Sequence, residues 1–468
     1  MSCSRGIDNH RLRADIIEDS PRNLSIGALP LSDGSAYLRS ATAQGLVTFD
    51  AKGRVIPALA ARWIITDDGL SYIFRLNKIR WNDGHEVNSD EVVQILNARM
   101  IELRASRFGA EMGLIDRAVA MTGKVVEVRL RAPIPNLLEL LAQPEFGLVN
   151  RGVGSGPMQA RKLGIAMQLR LRGIDEKGAP VLEDDRLLLR TSKPSIALAR
   201  FNAGETDLVS GGRFQNLPFL GAANISDGSA QYDPVPGLFG LLIVEAGPFL
   251  SESDNREAIA MAIDRPKLLT SFNVPAWQET LTLVPETMNN RVAVPRPDWT
   301  QLRIEDRKAK ARASITRWIG AHGTVRTLKI AMPRGPGARI VFAQIQADLA
   351  YIGLSIERVT PEESADIRLI DRVADMSSPA WYLSQLSCTV SFVCDAKADA
   401  LISEARLATE KDERARLLGE AEAKLQVKRN FIPIANPLRW SVTRNGLSGF
   451  TPNARGWHML QFLGRDTR

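Results

Sequence analysis

Residues that build metal and redox centres are scarce in this chain. It holds 3 cysteines and 4 histidines among 468 residues. Cys3, Cys388 and Cys394 are too few for a zinc ribbon, and His10, His85, His322 and His458 are scattered without metal-ligand spacing. The sequence therefore predicts neither a bound metal nor a cofactor. Long apolar runs are missing too. The most apolar stretch, Val235 to Val244, halts at Glu245, well short of the roughly 20 residues a membrane-spanning helix needs. It reads as a buried strand. Charge of one sign is also lacking. Sixty basic residues stand against 53 acidic ones, a net +7. Acids interrupt the arginines, as in Asp412-Glu413-Arg414, so no basic patch of the kind nucleic-acid binding requires is expected. There is no internal repeat. No charged segment followed by an apolar one opens the chain, so no secretory signal can be read.

What remains is an ordinary folded composition, 44% apolar and 24% charged. The length suits two to three domains at roughly 150 residues each. Strands are predicted at Gly45–Asp50, Ala61–Ile65 and Ser71–Leu76, the last two joined by an Asp67-Asp68-Gly69 turn. Leu24–Ile26 is a further candidate strand. Asn88 is placed to cap a helix over Asp90–Leu103, with Glu91 as its capping-box partner. A strand over Val125–Leu130 and a helix over Asn136–Leu141 come next. Ser195–Ala203 reads as a helix closed by Gly204, followed by a strand at Thr206–Val209, and Asp254–Ile263 as another helix. Thr327–Met332, Arg339–Tyr351 and Leu354–Val359 form a β-α-β unit with Gly353 as the helix stop. Two helices, Ala396–Thr409 and Lys411–Val427, precede a strand at Phe431–Ala435 and a polar C-terminal segment. This alternation defines an α/β chain.

No catalytic motif emerges. Gly152-Val-Gly-Ser-Gly-Pro157 lacks the lysine and helix start of a phosphate loop, and Val153 occupies the position where a nucleophile elbow needs glycine. It reads as a chain crossing between domains. Arg334–Arg339, between a strand and a helix, is either an anion-holding helix N-terminus or a plain turn. Cys388 and Cys394 would pair in an oxidising compartment and remain thiols in the cytosol. Asp371 and Asp375 flank Arg372 at a strand end, where surface salt bridges are the ordinary outcome. Cys3, followed by small residues, is either the acylated residue of a lipoprotein or a chance cysteine.

Several blocks in order nevertheless resemble a known family. They are Gly45–Asp50, Val55–Trp63, Asp68-Gly69, Tyr72–Leu76, Trp81–Gly84, Asp90–Val92, Gly154–Pro157, Phe201–Asp207, Arg256–Arg265 and Gln344–Gly353. Together they resemble the extracellular solute-binding proteins of family 5, the dipeptide, oligopeptide and nickel receptors of ABC importers. The resemblance runs from about residue 40 to the C-terminus. It implies a periplasmic-binding-protein-like α/β fold with two main lobes that close by a hinge, plus a smaller inserted lobe. The corresponding segments are 1–38, 151–235 and 432–468 for lobe I, 39–150 for the inserted lobe and 236–431 for lobe II.

The resemblance implies a binding protein and not an enzyme. It captures a peptide or similar small amino-bearing solute and delivers it to an ABC permease in the inner membrane. Asp375 matches the acid that pairs with a peptide ammonium. Arg372 stands where the family pattern has tryptophan, which removes an apolar wall, adds a cation, and brings anionic or zwitterionic solutes into consideration. Arg339 is similar in position to an arginine that takes the ligand carboxylate, and Trp381 and Tyr382 are candidate pocket walls. Cys388 and Cys394 match a cysteine pair of dipeptide receptors. A periplasmic monomer, lipid-anchored through Cys3, is the implied form. The alternative is a ligand-sensing or scaffold module that has lost transport.

Overall fold

The computed structural model describes residues 11–21, 23–27, 29–174, 180–226, 228–274, 276–288 and 296–465. Cys3 therefore lies outside the described residues. The principal elements begin with β1 (Leu12–Ile17), α1 (Asp33–Thr42), β2 (Ala60–Ile65), β3 (Ser71–Leu76), α2 (Ser89–Leu103), β4 (Ile115–Thr122) and β5 (Val125–Leu130). Next come β6 (Met158–Leu163), β7 (Ala166–Ile174), β8 (Pro180–Ser192), α3 (Pro194–Asn202), β9 (Leu208–Arg213) and β10 (Ala230–Asp233). The chain continues with β11 (Gly237–Ile243), α4 (Ser253–Ala262), α5 (Ile304–His322), β12 (Leu328–Ala331), α6 (Pro336–Tyr351), β13 (Ile356–Val359) and β14 (Ile367–Val373). It closes with α7 (Pro379–Ser384), α8 (Ala396–Leu407), α9 (Lys411–Lys428), β15 (Phe431–Ala435) and β16 (Arg439–Thr443). These divide into two units. The first holds the described residues of Met1–Gly212, Phe219–Pro234 and Arg439–Arg468; the second holds Arg213–Pro218 and Val235–Leu438.

The first unit is built on a seven-stranded sheet in the order β6-β7-β8-β1-β9-β16-β10. Here β1 runs parallel to both β8 and β9. It occupies a stretch that reads as polar, because Asp15 sits fully buried at its middle. A buried carboxylate survives only when paired and hydrogen-bonded. Arg190 reaches it at 2.7 Å, Arg200 at 3.0 Å and the Ser192 hydroxyl at 2.5 Å, and the Thr206 hydroxyl also donates to it. Around this cluster Leu12, Ile16, Leu38, Met158, Leu169 and Leu187 form one apolar core. The expected strand at Leu24–Ile26 is instead irregular, and Leu24 and Ile26 pack against that core as partly buried residues.

A separate antiparallel sheet, β2-β3-β5-β4, lies within the same unit. The Asp67–Gly69 turn joins β2 to β3, with Gly69 at φ 67°, a left-handed value that glycine adopts without strain. Val92, Leu96, Met100 and Leu103 form the buried stripe of α2, the i, i+4 spacing of an amphipathic helix. Asn88 caps α2 by accepting from the Glu91 N–H at 2.9 Å. The Glu91 carboxylate does not reach back to complete a box; it accepts from Trp81 Nε1 at 3.1 Å.

The second unit is built on a five-stranded sheet, β13-β12-β14-β11-β15. Every residue of β11 is buried, as expected of a strand covered on both faces. It runs antiparallel to β14 and β15, whereas β12 runs parallel to β13 and β14. The α6 helix supplies the crossover between β12 and β13. Two buried arginines hold the helices of this unit, and both donate to backbone carbonyls. Arg256 donates to the carbonyls of Leu250 and Lys428, and Arg265 to those of Pro433, Ala260 and Ile263. Burial pulls each guanidinium down to about 10, yet leaves it protonated near neutrality.

Candidate functional site

The directions of the strands gather several loops on one edge of the second unit's sheet. Because β12 and β14 are parallel and β11 is antiparallel to β14, the loops after β12 and β14 lie beside the start of β11. Gly237 is opposite Val373, and the end of β15 at Ala435 is opposite Phe239. The chain also enters this unit at Val235 and leaves it at Leu438, on that same edge. Ligands of open α/β sheets bind at the carboxyl ends of parallel strands, where connections diverge.

Asp375 sits on this edge, two residues beyond β14, and Arg372 is the penultimate residue of that strand. Trp381, in the first turn of α7, donates from Nε1 to Asp375 Oδ2 at 3.2 Å. Arg372 is exposed and donates from Nη1 to Gln385 Oε1 at 2.6 Å. One short connection thus presents a carboxylate oriented by an indole N–H, with a guanidinium three residues before it. Such a set can pair with an ammonium and, beside it, with a carboxylate or another acceptor.

Trp381 and Tyr382 are both buried, at 5% and 1% exposure, with rings edge-on at 4.9 Å. Trp381 therefore reaches the edge through its N–H. The Tyr382 hydroxyl has no hydrogen-bond partner among the described residues, and burial pushes its pKa well above the usual phenol value. Arg339 lies exposed in the first turn of α6, the helix that follows β12. No hydrogen bond or ion pair joins it to Asp375 among the described residues.

The Arg334–Arg339 segment, open to two readings in the sequence, is a helix start fitted closely to backbone. Gly335 is the N-cap at φ 133°, without a side-chain cap. A Cβ on Gly337 would stand 2.0 Å from the Phe214 carbonyl oxygen. The 213–218 segment is therefore pressed onto the beginning of α6. It carries Gln215, 8% exposed, whose Oε1 has no partner among the described residues. Sequence reading missed Gln215, and the only signal was indirect: two glycines flanking Pro336 announce a close approach without saying by what.

Cys388 and Cys394 are joined in a disulfide with their Cα atoms 5.0 Å apart. The loop they close follows α7 and is tied to the sheet by Ser391 Oγ, which donates to the Ile243 carbonyl at 2.6 Å. Among the described residues no cluster of three or more His, Cys, Asp or Glu could hold a metal ion. No helix among them is long and apolar enough to cross a membrane.

Comparison with known proteins agrees with this architecture. Residues 54–389 match the family described as bacterial extracellular solute-binding proteins, family 5 Middle. Di/tripeptide-binding protein 3 of Pseudomonas aeruginosa is 26% identical over 478 residues, covering 87% of each chain. The murein tripeptide binding protein MppA of Escherichia coli superimposes with a TM-score of 0.77 at 16% identity, covering 98% of this chain and 99% of its own. NikA of Brucella suis, in complex with Fe(III)-EDTA, also gives 0.77 at 16% identity, covering 97% and 100%. At those identities the two structures share the fold. With a linked family match over most of its length and the α/β sheets that family builds, this chain belongs to the bacterial extracellular solute-binding proteins of family 5.

Proposed function

We propose that this protein is the receptor of an ABC importer for a peptide or another small amino-bearing solute, and that Asp375 takes the solute's ammonium. The observation that carries this reading is the Trp381 Nε1 to Asp375 Oδ2 hydrogen bond on the sheet edge where the chain enters and leaves the second unit. An ionised carboxylate accepts at two oxygens, and the indole N–H fixes the direction of one of them. Arg372 and, more loosely, Arg339 supply positive charge on the same edge for a ligand carboxylate, which favours zwitterions over simple amines. Trp381 and Tyr382 support the edge from below. The names of relatives agree, since several bind di- or tripeptides, while the Fe(III)-EDTA complex shows that anionic cargo also occurs on this fold.

Delivery to a permease, and not chemistry, is the expected output, a reading supported by the match to a family of solute-binding proteins. The lobes would be residues 39–150 for the inserted one, 1–38, 151–235 and 432–468 for lobe I, and 236–431 for lobe II, closing on the ligand by a hinge. The receptor would work as a periplasmic monomer anchored through an acylated Cys3; the extracellular character of the family supports the compartment.

The test is a thermal-shift screen of di- and tripeptides, amino acids and organic acids on the parent and on Asp375→Ala. A ligand at 100 times its dissociation constant adds about 2.7 kcal/mol to the native state, an easily read shift. Peptides or amino acids should shift the parent and lose at least about tenfold in affinity in Asp375→Ala, a variant that should still fold cooperatively. Unaltered affinity in the variant would remove Asp375 from the site.

A further inference from the structure

The first unit contains a cavity that the receptor reading does not use. It has a volume of about 440 Å³ and is lined entirely by residues of that unit. Its floor is apolar: Leu24, Ile26, Leu38, Ala160 and Met167 face it as the outer layer of the core beneath the seven-stranded sheet. One wall is the Gly152–Gly154 turn. Gly154 is required there, because a Cβ would stand 2.0 Å from the Thr42 carbonyl on α1. The glycine-rich stretch that superficially suggests a phosphate loop is thus the side of a pocket with no cationic lining residue.

The polar side chains of the lining are Ser25, Thr42, Asn82, Asp83 and Gln159, with no cation among them. Asn82 is fixed by its own N–H, which donates to the Gly154 carbonyl at 2.9 Å. Its side-chain Oδ1 is buried and has no hydrogen-bond partner among the described residues. A buried acceptor left unpaired is costly, so a donor arriving there gains more than at an exposed site. The neighbouring Asp83 is the one charged residue of the lining; its half-exposed carboxylate lies 2.7 Å from His85 Nδ1. Apolar floor, unpaired amide oxygen and a carboxylate at the mouth together specify a ligand with a greasy body and a cationic donor at one end.

We propose that this cavity binds an aliphatic primary amine, its chain on the Leu24–Met167 floor and its ammonium donating to Asn82 Oδ1 and to the Asp83 carboxylate. A charge-assisted pair of this kind selects against anions of the same length. The site is independent of Asp375, so its failure and the failure of the receptor reading are separate results.

The experiment is ligand-observed saturation-transfer NMR on the whole chain, titrating n-hexylamine, hexan-1-ol and hexanoate. Hexylamine should bind saturably, and hexanoate at least about tenfold more weakly. Ala160→Trp, which fills the floor, should abolish hexylamine binding at an unchanged melting temperature. Asp83→Asn, on an exposed turn where folding is not at stake, should bring amine and alcohol to within about threefold. Asp375→Ala should leave all three titrations as they were. Absence of saturable hexylamine binding, equal binding of hexanoate, or undiminished discrimination in Asp83→Asn would each overturn the proposal.

Discussion

Removing the Cys388–Cys394 bridge offers a quantitative check on how the second unit is held. The cysteines are separated by six positions, so the bond closes a loop of about seven residues. In the chain-entropy account such a loop withdraws about 8 cal/mol/K from the unfolded chain, or about 2.4 kcal/mol at 25 °C. The native loop has other anchors. Besides the Ser391 hydroxyl bond to Ile243, the Phe392 N–H donates to the Val244 carbonyl at 3.3 Å and the Cys388 N–H to Asp399 Oδ2 at 2.9 Å. The folded loop should therefore persist in Cys388→Ser/Cys394→Ser, with the cost falling on the unfolded side. For a cooperative unit of this size, 2.4 kcal/mol corresponds to a fall in melting temperature of roughly 5–10 °C. Calorimetry of the parent, the parent with reductant, and the double variant should place the last two together. A double variant melting within about 1 °C of the parent would refute the loop-closure argument, since the cross-link would then constrain nothing the unfolded chain explores.

Three further outcomes are expected. Arg256→Met should cost about 2–4 kcal/mol in urea unfolding, because the Leu250 and Lys428 carbonyls lose their donor inside the second unit. Gly337→Ala should also destabilise. Helix propensity gains at most about 1 kcal/mol, whereas driving a Cβ to 2.0 Å from the Phe214 carbonyl costs about 1–3 kcal/mol or a displaced 213–218 segment. Glu127 is held below the usual carboxylate range by the Arg129 guanidinium and then by the Ser71 hydroxyl. Its unfolded form therefore binds a proton first, so its contribution is present above the ordinary glutamate pKa and is lost as pH falls through the lower folded value. Melting curves from pH 6 to about pH 3 should fall less steeply for Glu127→Gln than for the parent.

The elements that could be read from the sequence are those fixed by neighbours in the chain. Asn88 caps α2 as its position suggests, Gly69 and Gly353 take the left-handed backbone their turns require, and the β12-α6-β13 unit falls where its apolar periodicity places it. What escaped depends on distant partners. The strand β1 was hidden because Asp15 interrupts it, and Asp15 is tolerable there only through Arg190, Ser192, Arg200 and Thr206, all more than 170 residues away. The α5 helix, with only Arg307, Ala311 and Ile315 buried, carries too thin an apolar stripe to stand out. At the site, Asp375 could be named from motif likeness. The indole that orients it was visible only as a candidate wall, since the sequence does not reveal that Trp381 points its N–H and not its face.

The order of the seven strands has a consequence for biosynthesis. In the first unit β16 lies between β9 and β10, although more than 200 residues of chain intervene between β10 and β16. A nascent chain emerging N-terminus first can complete most of the second unit while β9 still presents an open edge and β10 has no strand to join. Open edges of this sort recruit other chains. Holding that edge apart until the last strand arrives is work for a targeting factor or chaperone, and a chain exported before it folds would never expose a half-built sheet to the cytoplasm.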